Sequence, residues 1–82
     1  MRIVFAEDQA LLRAGLTRVL VDLGHDVVEV DTGPALEAAL AEPDVDAAVV
    51  DVRLPPTQTT EGLAAAIAAR ERRPGLPVLV LS

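Results

Sequence analysis

Apolar and polar positions along the chain change their spacing repeatedly, and the changes outline strands alternating with helices. Residues 2–6, RIVFA, form a short apolar run rich in β-formers and predict a strand. After Asp8 the apolar positions Leu12, Leu16, Val19, Leu20 and Leu23 recur at spacings of three and four, the pattern of an amphipathic helix that Gly24 can close. DVVEV, residues 26–30, predicts a second strand. Thr32 then stands as the cap of a helix with Gly33 and Pro34 in its first turn, with Leu36, Ala39 and Leu40 along one face, and Pro43 stops it. VDAAVVDV, residues 45–52, is nearly continuously apolar after Asp46 and predicts a third strand covered on both faces. The prolines and hydroxyl residues of RLPPTQTTEG mark a loop, with Thr59 in it and Thr60 as the cap of a third helix running to Arg73. PGLP punctuates that helix, and VLVLS, residues 78–82, predicts a fourth strand.

The order β-α-β-α-β-α-β implies right-handed crossovers and an open parallel sheet with helices on both faces, an α/β fold. At 82 residues the chain is one small domain. Phe5 is its single aromatic residue, so the core is to be built from Val, Leu, Ile and Ala, with Leu12, Leu16, Val19 and Leu20 contributing and the Ala-rich third helix packing close to the sheet. Thirteen acidic against seven basic residues, none of them Lys, give a formal charge of −6, which argues against a nucleic-acid surface on these residues. The absence of Cys removes thiolate metal sites and cysteine nucleophiles. No apolar run is long enough to cross a bilayer, and Glu7 and Asp8 interrupt the region where a signal peptide would be apolar, so the chain reads as soluble and cytoplasmic.

In open parallel sheets, ligands bind at the carboxyl ends of the strands, near the point where strand order reverses. Here the first strand ends in Glu7 and Asp8, the third runs into Asp51, and the fourth ends in Ser82. Three carboxylates gathered at one sheet edge repel one another unless a cation is present, and a hard divalent ion with oxygen ligands relieves the repulsion. The constellation suggests a Mg²⁺-assisted phosphoryl site with Asp51 as nucleophile and Ser82 as a hydroxyl donor to the phosphoryl oxygens. Gly-rich phosphate loops are absent.

Each residue also has a plain structural reading. Asp8 precedes a helical pattern and suits an N-cap, with Glu7 adding favourable charge at the helix start. Asp51 alone is a polar residue at a strand end, and Ser82 a hydroxyl where the strand stops. His25, after Gly24, reads as solvated, and RERRPG, residues 70–75, as exposed charges at a helix end. The joint placement of acids at strand ends is what favours the site.

RIVFAEDQALLRAGL, AAVVDVRLPP and PVLVLS resemble, in order and over essentially the whole chain, the receiver domain of bacterial two-component response regulators, particularly transcriptional regulators carrying a LuxR-type helix-turn-helix domain. The resemblance rests on an acidic pair ending strand one, an Asp ending strand three with Pro55 four residues later in the loop near the site, and a Ser ending strand four. It implies a flavodoxin-like sheet with strand order 2-1-3-4. It also implies that a histidine kinase phosphorylates Asp51. Asp8, Asp51 and the Arg53 backbone carbonyl would bind Mg²⁺, Glu7 would act mainly through water, and Ser82 would be the switch hydroxyl. The module then controls a DNA-binding output domain that residues 1–82 do not contain.

Two departures from the family pattern stand out. Gly62 lies eleven residues after Asp51, a longer loop than in many receivers. The residues also lack the further helix, the Lys-bearing fifth strand and the final helix of a complete receiver, so phosphorylation of the 82-residue chain is expected to be impaired. Strand four, left as an apolar edge, is expected to drive self-association. Two other functions fit acids at strand ends: a Mg²⁺-dependent phosphohydrolase-like or nuclease-like enzyme, and a degenerate receiver used only for protein association. Such enzymes usually place a second acid two residues after the third-strand Asp, and that position is Arg53.

Overall fold

A computed structural model describes residues 1–58 and 60–81; Thr59 and Ser82, and with them the loop reading of Thr59 and the switch-hydroxyl reading of Ser82, lie outside the described residues. The chain runs β1 (Arg2–Ala6), α1 (Ala10–Asp22), β2 (Asp26–Val30), α2 (Gly33–Leu40), β3 (Ala47–Asp51), α3 (Glu61–Arg72) and β4 (Val78–Leu81). The four strands form one parallel sheet in the order β2-β1-β3-β4. Both the fold class and the strand order implied by the sequence are therefore observed.

Local chemistry accounts for most boundaries. Gly24, at φ +93°, takes the left-handed conformation that ends α1, and the N–H groups of Leu23, Gly24 and His25 bond back to the last-turn carbonyls. Thr32 caps α2, its Oγ1 accepting the Ala35 N–H at 3.1 Å, with Pro34 in the first turn. Thr60 is the cap residue of α3, but its side chain makes no capping bond; Glu61 supplies the favourable first-turn charge instead. β3 starts at Ala47, two residues later than the hydrophobic pattern suggests. Just before it the Asp46 N–H still donates to the Arg2 carbonyl at 2.8 Å, but the Arg2 N–H goes to Asp46 Oδ2 at 2.7 Å and the Val45 carbonyl accepts from the Arg73 side chain at 2.7 Å, so side chains take the places of further backbone ladder bonds.

Alternation along the strands divides the interior. Val4, Ala6, Ala48 and Val50 face α2 and α3, where they pack with Leu36, Leu40, Val45, Leu54, Ala65, Ala69 and Leu76 into the main core. Ile3 and Phe5 point to the opposite face and are buried there, beneath α1, which packs on β1 and β2.

Three sequence expectations need correction. Leu12, Leu16 and Val19 are not core: α1 has no buried residue, Leu12 is 42% exposed and Leu20 only partly covered. Periodicity identifies the apolar face of a helix but not how many layers cover it, and here α1 packs against one sheet and nothing described packs outside it. For the same reason β3 is sealed only toward α2 and α3. Ala48 and Val50 are buried, whereas Ala47 and Val49 stay half-covered because α1 lies over β1 and β2. Finally, the 70–75 cluster is not uniformly exposed, because Arg73 folds back to bond the carbonyls of Val45 and Glu42 and ties the end of α3 to the start of β3.

Candidate functional site

The carboxyl ends of β1 and β3, adjacent in the sheet, deliver the acids. Past Ala6 the ladder continues for one residue, Glu7 N–H donating to the Val30 carbonyl at 3.1 Å, and this extension carries the Glu7 side chain inward until only 4% of the residue is exposed. Arg13, one turn into α1, locks that strand end. Its Nη1 donates to the Glu7 carbonyl at 2.7 Å and its Nε pairs with Glu29 of β2 at 3.1 Å. Asp8 follows, half-buried. The cap residue of α1 is Gln9, without a side-chain capping bond, so the N-cap reading of Asp8 is overturned. Asp8 Oδ2 instead accepts the side-chain amide of Gln58, at 2.8 Å, across the sheet edge.

Asp51 closes β3, its Oδ1 accepting the Arg53 N–H at 3.2 Å. Behind it α3 begins unusually close. A Cβ on Gly62 would lie 1.7 Å from the Asp51 carbonyl oxygen, and the Gly62 N–H bonds the Val52 carbonyl at 3.0 Å. Only glycine allows the first turn of α3 to seat against the strand that presents Asp51.

Ligand oxygens of Glu7, Asp8 and Asp51 lie within 4.8 Å of one another. The ion pairs of the described residues join Arg2 to Asp44, Arg13 to Glu29 and Arg18 to Asp22, so none neutralises this trio. Burial, and then the facing Asp51 carboxylate, push Glu7 above the ordinary value near 4.5. Asp8 moves the other way, held down chiefly by the Gln58 amide. A buried acid facing another acid without a basic partner, in an all-oxygen set, fits a hard divalent cation such as Mg²⁺.

The sequence profile of the response regulator receiver domain matches residues 3–82. This chain belongs to the response-regulator receiver family. It is 37% identical over its full length to the transcriptional regulatory protein TcrA of Mycobacterium tuberculosis, covering 31% of that protein. It is 35% identical to the transcriptional regulatory protein PhoP of Escherichia coli K12, covering 35% of that one. Among solved structures, a response regulator receiver protein from Sinorhizobium medicae superposes with a TM-score of 0.86 at 30% identity, over 98% of this chain and 64% of that one. The receiver thus spans about a third of the regulators it matches and about two thirds of a solved receiver chain. The match gives no support to the hydrolase-like and nuclease-like readings.

The structure brings Glu7, Asp8 and Asp51 together and places Arg53 beside Asp51 through its N–H. Pro55 ties the loop to α2, its carbonyl accepting the Gly33 N–H at 2.9 Å, with the Pro55–Pro56 peptide cis. Sequence reasoning missed Gln58 and the packing role of Gly62. A glycine in the first turn of an Ala-rich helix was a usable signal, since it weakens the helix unless packing requires it. Gln58 carried no signal, because its contact spans fifty positions along the chain.

Proposed function

We propose that this receiver accepts a phosphoryl group on Asp51 from a histidine kinase, with Mg²⁺ held by Asp8, Asp51 and the Arg53 carbonyl and with Glu7 acting mainly through water. The observation that carries the reading is the convergence of three carboxylates from two strand ends, with no basic side chain among the described residues paired to them. When bound, the cation supplies neutralisation of charge on the acids and the phosphoryl oxygens. Asp51 supplies the attacking oxygen: the bond from phosphorus to the kinase histidine nitrogen breaks as the bond to the Asp51 carboxylate forms. The Arg53 N–H holds the other side of that carboxylate, and Gly62 lets α3 support the strand end from behind.

In the regulators it resembles, such a module sits within a longer protein. We assign the same arrangement here: a non-enzymatic, cytoplasmic signalling domain over residues 1–82, acting on DNA through a separate C-terminal, LuxR-type output domain. Ser82 serves as the switch hydroxyl in this reading. Self-association through the β4 side belongs to it as well. Leu79 is 60% exposed on one face of β4, and a groove of about 370 Å³ on the other is lined by Leu63, Ile67, Val78 and Val80 and rimmed by Arg70 and Glu71.

Treatment with a small phosphodonor, followed by intact-mass measurement and peptide mapping, tests the acceptor. The 82-residue chain is expected to take a low-yield, short-lived label that maps to Asp51 and disappears on chelation or in Asp51→Asn. A label that maps elsewhere or forms without Mg²⁺ contradicts the acceptor reading, and a stable, high-yield label on Asp51 contradicts the expected impairment of the 82-residue chain.

A further inference from the structure

The β3–α3 loop is long, yet its residues 54–58 are pinned at several points. Leu54 is fully buried in the core, the Pro55 carbonyl bonds α2, the Gln58 N–H returns to the Leu54 carbonyl at 3.1 Å, and the Thr57 N–H and hydroxyl both donate to Glu61 at the start of α3. These anchors hold Gln58 at φ +58°, a left-handed conformation that a residue with a side chain enters at a cost. The consequence is directional: the side chain projects across the sheet edge and its amide meets Asp8 Oδ2 at 2.8 Å. An ionised carboxylate accepts and cannot donate, so the amide nitrogen is the atom that faces it.

We propose that Gln58 is a positioning residue of the metal site, fixing Asp8 for cation binding. This inference rests on the metal-binding reading above and goes beyond it to a residue outside the acidic trio. Asp8 is half-exposed at the mouth of the site, next to two other acids, and without a partner its carboxylate is free to turn away from them toward solvent. With one oxygen committed to Gln58, the group is held in one orientation and has a single oxygen left to offer. That suits an ion that takes each carboxylate through one oxygen and fills the rest of its shell with water. Partners that orient a ligating carboxylate in this way typically account for about 10- to 100-fold in metal affinity.

The experiment compares the chain with Gln58→Ala and Gln58→Gly, reading Mg²⁺ affinity by calorimetry and Mn²⁺ affinity by electron paramagnetic resonance, with circular dichroism as a check on folding. Glycine relaxes the φ +58° backbone, so a loss caused by loop strain alone is restored in Gln58→Gly, whereas a loss caused by the missing amide is not. The expected result is a drop of about tenfold for both ions in both variants, with the metal-free circular dichroism spectrum of each matching that of the parent chain. Unchanged or tighter binding in either variant overturns the role of Gln58 while leaving the metal site standing. A parent chain that binds neither ion brings down the metal site itself, and the role of Gln58 with it.

Discussion

At the scale of single residues, Glu7 and Gly62 carry the clearest consequences. Glu7 is an acid kept out of water beside another acid, and its ionisation is disfavoured in the folded chain. Because its folded pKa lies above the unfolded value, the stability it contributes is fully present below about pH 4.5 and is lost as pH rises through the folded value. Glu7→Gln keeps an acceptor for the Gln9 N–H and never ionises. In chelator, it is expected to raise stability at neutral pH, because the variant carries no charge to desolvate beside Asp51. That gain should shrink toward zero as the pH falls to 4, as followed by thermal melts across pH. Gly62→Ala works in the opposite direction. Its methyl group meets backbone rather than a side chain that can swing aside. The variant is expected to lose about 3 kcal/mol or more in denaturant melts, the cost of forcing packed backbone apart. A stability equal to that of the parent would contradict the close seating of α3 on β3.

At the scale of elements, the sequence was legible where local pattern decides and silent where distant partners do. Alternating apolar runs gave all four strands, and Gly24, Thr32 and Pro34 marked ends that the backbone then adopts for the stated reasons. The acids at the ends of β1 and β3 were legible because strand order alone places those ends side by side. The N-cap of α1 was not, since Asp8's choice between a helix start and Gln58 is settled by a loop fifty residues on. The burial of α1 was misjudged because a hydrophobic stripe looks the same whether one layer or two will cover it. Leu12 and Leu36 separate those cases. Leu36→Ala empties a fully buried position and is expected to cost about 2–5 kcal/mol, whereas Leu12→Ala is expected to cost less than about 1 kcal/mol. Similar costs for the two in urea titrations would mean that α1 is covered in solution.

At the scale of the whole molecule, the sheet sets both the site and the exposed flank. β1 and β3 are central and present the acids, while β4 pairs with β3 and shows Leu79 and Val80 on its two faces. Sedimentation of the chain is expected to show concentration-dependent association that Leu79→Glu abolishes, since a charge on an exposed edge strand opposes strand pairing. A parent chain that remains monomeric at high concentration contradicts it. The central claim, that Glu7, Asp8 and Asp51 form one cation site, is tested most directly by titrating Mg²⁺ into the isotopically labelled, chelator-treated chain and following its amide resonances by NMR. The expected result is saturable shifts centred on residues 7–9, 51–53 and 58, abolished by Asp8→Asn. Shifts that are absent, that centre elsewhere on the acidic surface, or that persist unchanged in Asp8→Asn would contradict it.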